Sequence, residues 1–280
     1  MLTVAAALRQ AREALTQHSE TAALDAQTLL AAVLHRGRAW LLAHPEARLT
    51  PRQHRRLNRA CTQLAHGVPL PYVLGYWHFY GRQFAVTPAV LIPRPETETL
   101  VELALAWLRQ HPTRRRIADV GTGSGILAVT LAAEIADARI TATDISPAAL
   151  AVARDNARRH RVDERIAWVE TDVLAALTGT FDLIITNPPY IPTEALNALP
   201  VARHEPREAL DGGADGLAVI RRVLAQARPR LAAGGLLLME IAADQGQTAR
   251  ALASAAFPEA TVRVHPDLAG RDRVLAVTSP

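Results

Sequence analysis

From Arg116 to the end of the chain, short apolar runs alternate with stretches of helical periodicity, and this alternation restricts the possible folds more than anything else in the sequence. The runs Ile117–Val120, Arg139–Thr143, Ile166–Val169, Phe181–Thr186 and Gly235–Glu240 have strand length, and most are rich in Ile, Val or Leu. The stretches 126–135, 147–158, one from about Gly216, and 246–255 space their apolar residues as helices do. Strands that each feed a helix are parallel and buried on both faces. The pattern therefore predicts a doubly wound α/β fold with a mostly parallel seven-stranded sheet. Its last two strands, near Thr261–Val264 and Arg273–Val277, are joined by too short a connection for a crossover, so one is expected to be antiparallel.

The chain before Arg116 differs in character. Thr3 to about His66 is helical throughout, with stripes at Leu8, Ala11 and Leu15, at Leu29, Leu30, Val33 and Leu34, and at Leu57, Cys61 and Leu64. Gly67-Val-Pro-Leu-Pro-Tyr72 breaks the helix. The aromatic residues Tyr76, Trp77, Phe79 and Tyr80 then precede Gly81-Arg82 and Phe84-Ala-Val-Thr87, which reads as a hairpin. Leu91-Ile-Pro-Arg-Pro-Glu-Thr-Glu98 leads into a helix to about Arg109; Glu96 and Glu98 suit its first turn, while Arg94 and Thr97 lie where a loop can close over a ligand. The expected division is a helical domain over 1–70, a hairpin linker over 71–94 and an α/β domain over 95–280.

Charge is uneven. The first 60 residues hold nine Arg against four acids, and the remainder is close to neutral. All 31 basic residues are arginine, a sign of coding bias, so the net charge of +4 is weak evidence for nucleic-acid binding. A basic N-terminal part still suits docking of an acidic or ribosome-associated partner. The run Arg52, Arg55, Arg56 and Arg59 reads first as a solvated helix face. A single cysteine, Cys61, excludes a disulfide framework, and no two histidines stand at helical metal-site spacing, so no metal is expected. Apolar runs are interrupted before membrane-spanning length and no signal peptide is recognisable, which makes a cytoplasmic protein the expectation.

Four features fall at the carboxyl ends of successive strands, the edge where open α/β sheets bind ligands. Asp119-Val-Gly-Thr-Gly-Ser-Gly125 joins the first strand to a helix, so that Gly121, Thr122, Gly123, Ser124 and Gly125 can pass close beneath a ligand. Ile126 stands where a dinucleotide fingerprint needs glycine, which favours S-adenosylmethionine over NAD. Asp144, after the second strand, can accept from both ribose hydroxyls; Asp172, after the third, can take an adenine amine, with Val173 packing on the ring. Asn187-Pro188-Pro189-Tyr190 closes the fourth. Its aimed carbonyl acceptors and flat ring suit a planar –NH2 group, a carboxamide or the exocyclic amine of a base.

The Gly-rich turn and Asn-Pro-Pro-Tyr together resemble class I S-adenosylmethionine-dependent methyltransferases acting on amide or amine nitrogen. Three more segments resemble the HemK/PrmC glutamine-N(5) methyltransferases: Gly67-x-Pro-x-x-Tyr-x-x-Gly75, Ile92-Pro-Arg-Pro-Glu-Thr-Glu98 and Glu205-Pro-x-x-Ala-Leu-Asp-Gly-Gly-Ala-Asp-Gly-Leu217. Val173 stands where relatives often carry an aromatic residue. The resemblance implies S-adenosylmethionine as cofactor and, as substrate, the Gly-Gly-Gln glutamine of class 1 peptide-chain release factors. It also implies that Asn187 and the Pro188 carbonyl accept the two amide protons while Tyr190 stacks on the amide, with no membrane and no direct nucleic-acid partner. A glutamine methyltransferase of a large-subunit ribosomal protein would share the tetrapeptide; the helical domain and the Glu205–Leu217 segment favour release factors. A DNA adenine-N6 methyltransferase needs a basic groove that the near-neutral second half lacks. A non-enzymatic scaffold leaves the tetrapeptide unexplained.

Overall fold

Helix starts in the N-terminal part follow from hydroxyl side chains placed just ahead of apolar stripes. Thr3 accepts a hydrogen bond from the Ala6 N–H and opens α1 (Val4–Leu15), while Thr50 and Gln53 form a reciprocal capping box ahead of Pro51 and open α4 (Pro51–Ala65). Between them lie α2 (Ala22–Leu34) and α3 (Arg38–Ala43), and α5 (Leu70–Leu74) follows. Their buried stripes meet in a core that includes Leu15, Leu29, Leu30, Leu41 and Leu57. Arg52, Arg55, Arg56 and Arg59 stay exposed on α4. The computed structural model describes residues 2–280, and the helical part forms one compact unit up to Tyr76, with a second from Trp77 to Pro280.

The second unit takes in most of the hairpin of β1 (Tyr76–Phe79) and β2 (Arg82–Ala85). A 3-10 turn at Pro95–Thr97 then leads into α6 (Glu98–Gln110). The alternation follows as β3 (Arg116–Val120), α7 (Ile126–Glu134), β4 (Arg139–Asp144), α8 (Pro147–Arg159), β5 (Ile166–Glu170) and β6 (Phe181–Thr186). It continues through α9 (Thr193–Ala198), α10 (Ala218–Ala227), β7 (Leu231–Glu240), α11 (Gly246–Ala256), β8 (Thr261–Pro266) and β9 (Asp272–Thr278). The seven-stranded sheet runs β5-β4-β3-β6-β7-β9-β8. Strands β3 to β7 pair in parallel and β9 is antiparallel to both β7 and β8.

Both faces of the sheet are covered, as its uninterrupted apolar strands require. Along β6, Leu183 and Ile185 enter one core with Leu100, Leu105 and Leu131, whereas Ile184 enters the other with Ile220, Val223 and Leu224. The strand order reverses between β4 and β6 on either side of β3, which opens a crevice at the carboxyl edge. The pairing of Thr186 with Met239 sets the next residues of β6 and β7, Asn187 and Glu240, level with each other at that edge.

One expectation needs correction, and one stretch carries elements the sequence did not announce. Strand β7 begins at Leu231, four residues before Gly235, because Gly234 takes a positive φ and Gly235 fits against the Asp182 carbonyl without leaving the sheet. The stretch after Asn-Pro-Pro-Tyr holds α9 and 3-10 turns at Pro200–Arg203 and Arg207–Ala209, whose short, polar segments carry too little periodicity to be read. No described helix is long and apolar enough to cross a membrane.

Candidate active site

The turn between β3 and α7 is held from below. Asp119, fully buried, accepts from the Thr122 hydroxyl at 2.6 Å and the Ala128 N–H at 3.0 Å. Its other oxygen, Oδ1, is buried with no partner, and burial pushes the carboxyl up to about 7 against the pull of those two donors. At the end of β4, Asp144 accepts from the Gly123 N–H and the Ser146 N–H, each at 2.9 Å, which ties two strand ends together. Burial raises its pKa as well, with the backbone donors opposing.

Above this turn lies a cavity of about 330 Å³. Gly121, Thr122, Gly123 and Ser124 form its floor, and Asp144, Asp172 and Val173 line it from the ends of β4 and β5. Asn187, Pro188 and Pro189 line it from the end of β6. Gly125 does not: it begins α7 at φ 82°, and a Cβ there would stand 3.1 Å from that of Ala153, so its lack of a side chain serves the approach of α8. Asp172 meets Arg222 at 2.8 Å, a partner that gave no signal in the sequence. Val173 is a β-branched residue at φ 56°, held there by burial and by the Thr143 hydroxyl, which donates to its carbonyl at 2.8 Å. Ile145, Val219 and Val223 add apolar wall, and Ile145 is left largely exposed.

At the tip of β6 a chain of hydrogen bonds runs inward. Asn187 Nδ2 donates to Thr97 Oγ1 at 3.1 Å, Thr97 Oγ1 donates to Glu240 Oε2 at 2.7 Å, and the Tyr190 hydroxyl donates to Glu240 Oε1 at 3.1 Å. Thr97 and Glu240 are buried, and burial raises the pKa of Glu240. Asn187 Oδ1 and the Pro188 carbonyl take no hydrogen bond from the described residues. Tyr190 ends this chain of bonds. Its ring packs against the core that holds Ile220 and Val223, and its hydroxyl is drawn to Glu240. It borders a second cavity of about 320 Å³, with Ile191, Pro192 and Gln245, rather than the first. Burial raises its phenol pKa further above the usual value.

The Glu205–Leu217 segment braces the site from behind. Glu205, buried, accepts from the Ile92 N–H at 2.9 Å and from Arg94 at 2.5 Å, so the Pro-rich approach to α6 is fastened to it. Gly212 donates to the Ile191 carbonyl at 2.8 Å, and Gln245 donates to the Tyr190 carbonyl at 3.1 Å. Glu240, which looks like the polar end of a strand, was not read from the sequence; Thr97 was expected where a loop can close over a ligand, but its bonds to Asn187 and Glu240 were not.

The Methyltransferase small domain family matches residues 98–203 and the PrmC N-terminal domain family matches residues 6–75. A release factor glutamine methyltransferase of Moorella thermoacetica is 47% identical over 253 residues, 89% of each chain. Another from Coxiella burnetii is 40% identical over 276 residues, 98% of each chain. A methyltransferase from Pyrococcus furiosus, known from its crystal structure, shares the fold with a TM-score of 0.52 at 17% identity, over 71% of this chain and 90% of its own. With the strand-end geometry above, these identities over nearly the full length make the chain a member of the release factor glutamine methyltransferase family.

Proposed function

We propose that this chain transfers a methyl group from S-adenosylmethionine to the side-chain amide nitrogen of the glutamine in the Gly-Gly-Gln motif of class 1 peptide-chain release factors, in the cytoplasm. The observation that carries the reading is the pair of unpartnered acceptors, Asn187 Oδ1 and the Pro188 carbonyl, on consecutive residues beside the cavity over the Gly-rich turn. The cavity fits the cofactor in its donor set: the Asp144 carboxylate for ribose hydroxyls, Ile145, Val173 and Val223 for an aromatic ring, and the loop Gly121–Ser124 beneath. Bound there, S-adenosylmethionine supplies a methyl group made electrophilic by its sulfonium sulfur.

The protein's own part is to present the nucleophile. A carboxamide nitrogen is weakly nucleophilic because its lone pair is delocalised into the carbonyl. Asn187 and Pro188 accept its two N–H groups, which fixes the nitrogen's direction and raises its electron density. Orientation of this kind supplies roughly 7–11 kcal/mol of a barrier. No side chain has to remove a proton beforehand, since the N–H becomes acidic only as the new N–C bond forms. Tyr190 supports this arrangement through Glu240 and its place in the core, rather than by stacking on the amide.

The test offers labelled S-adenosylmethionine with unmodified release factor, unmodified ribosomes and duplex DNA side by side, followed by mass spectrometry of the labelled product. Label on the Gly-Gly-Gln glutamine is expected, and Asn187→Ala is expected to lower kcat on the order of 10²-fold while cofactor affinity changes little. Label on ribosomal protein or DNA alone overturns the substrate assignment.

A further inference from the structure

Asparagine presents a particular problem as a catalytic acceptor. Its amide keeps nearly the same shape when turned over, but the turn exchanges a carbonyl oxygen for an –NH2 group. With the nitrogen outward, Asn187 would set donor against donor before a substrate carboxamide. We propose that Thr97 and Glu240 are positioning residues that decide which way round the Asn187 amide sits, acting as a one-way chain of hydrogen bonds that keeps its oxygen towards the substrate.

The direction of the chain follows from the chemistry of its members. Burial raises the pKa of Glu240, while the hydrogen bonds from Thr97 and Tyr190 and the charge of Arg273 oppose that rise; in its ionised form the carboxylate only accepts, and each oxygen takes one hydroxyl proton. The Thr97 hydroxyl has one proton and directs it to Glu240, so towards Asn187 it can only accept. The amide nitrogen must therefore face Thr97, and Oδ1 is left facing away. Adjacent strands hold the two ends of the chain, with Asn187 and Glu240 one residue beyond the paired Thr186 and Met239.

Two features set this arrangement apart from ordinary structural bonding. Thr97 is the last residue of the 3-10 turn that runs into α6, with helical φ −65° and ψ −17°, and its buried hydroxyl is bonded across the fold to Glu240. Glu240 is 1% exposed and makes no ion pair among the described residues, a placement that stability alone disfavours. Glu240 reaches Asn187 only through Thr97, whose hydroxyl joins the two.

The inference rests on the reading of Asn187 as the substrate's acceptor, so the test separates the two. Steady-state methyl transfer to unmodified release factor is compared for the wild type, Asn187→Ala, Thr97→Ser and Thr97→Val, with S-adenosylmethionine binding measured by calorimetry. Thr97→Val, which keeps the shape and removes the acceptor, is expected to lower kcat about tenfold while cofactor Kd stays within about twofold; Thr97→Ser is expected to restore kcat. A wild-type kcat in Thr97→Val beside an inactive Asn187→Ala overturns the positioning role and leaves the substrate reading intact. A wild-type kcat in Asn187→Ala overturns the substrate reading itself. A second measurement needs no destabilised variant: the Asn187 side-chain –NH2 resonances of the folded wild type, assigned by their loss in Asn187→Ala. Slow hydrogen exchange is expected, and exchange as fast as that of an exposed amide overturns the proposal.

Discussion

Replacing Gly212 by alanine tests how closely the backbone behind the active-site turn is packed. Gly212 does not have a left-handed φ, so an added methyl group brings no conformational strain of its own. Its Cβ would stand 2.7 Å from the Gly216 carbonyl oxygen, 2.8 Å from Gly216 Cα and 2.8 Å from Tyr190 Cα. All three are backbone atoms, so no side chain can swing aside. Ordinary contact requires a retreat of roughly 0.6–1 Å, and the retreat must be shared with the Asn187–Tyr190 turn, which the Gly212 N–H also holds through Ile191. Overpacking of this kind costs about 1–3 kcal/mol, a fall in melting temperature of roughly 2–12 °C for a unit of this size. Displacement of the acceptors by up to 1 Å is expected to lower kcat by about 10²-fold. Thermal unfolding and single-turnover methyl transfer read the two effects. Gly37→Ser is the control: Gly37 starts α3 at φ −69° with nothing within 4 Å of an added Cβ, and serine is a good cap there, so no loss is expected. Unchanged melting and a kcat within about twofold for Gly212→Ala would refute the argument from backbone contact.

Two further substitutions probe the floor of the site. Asp119 has a folded pKa of about 7 against an ordinary 3.8, so the folded state binds the extra proton between those values and stability is lost as pH rises from about 4 to about 7. In urea unfolding of the unliganded protein, Asp119→Asn is expected to remove roughly 2–3 kcal/mol of the decline between pH 5 and pH 8; parallel profiles for the two proteins would count against it. Asn156, buried on α8, donates to the Ser124 carbonyl at 2.8 Å and the Ala85 carbonyl at 3.0 Å, and accepts from the Ala85 N–H at 2.7 Å. Asn156→Ala leaves these three groups without their partner, and should cost about 3 kcal/mol or more and weaken S-adenosylmethionine binding through the loosened Ser124; an unshifted urea midpoint contradicts this.

What could be read beforehand was what depends on neighbours in sequence. The alternation after Arg116 gave the sheet, because each strand and helix announces itself within about ten residues. The strand-end features followed from that, since a residue just past a strand can lie only at the carboxyl edge. Contacts across distant segments left no such trace. Thr97, Asn187 and Glu240 lie far apart in the chain and meet only when α6, β6 and β7 are assembled. Tyr190 was read as a free ring because nothing beside it in sequence shows that Glu240 and the core claim it. Gly212-Gly213 shows no difference in sequence between its two residues, since glycine looks the same whether it serves a positive φ, as Gly213 does at 86°, or a close approach, as Gly212 does. Gly234-Gly235 likewise suggested a strand's beginning and lies inside one.

The position of β9 between β7 and β8 bears on how copies of this protein behave when crowded together. The sheet stops at β5 on one side and β8 on the other, and a free strand edge is a template on which another copy can lay a strand. On β8 that route is obstructed. The strand reads Thr-Val-Arg-Val-His-Pro, its register with β9 slips between His265 and Pro266, and Pro266 has no N–H to offer an incoming strand. At the other end β5 has only five residues and finishes on the exposed Glu170. A ladder of bonds started at either edge would soon meet a charge, a missing donor or a break in register. Either edge thus offers an incoming strand only a short run of pairing.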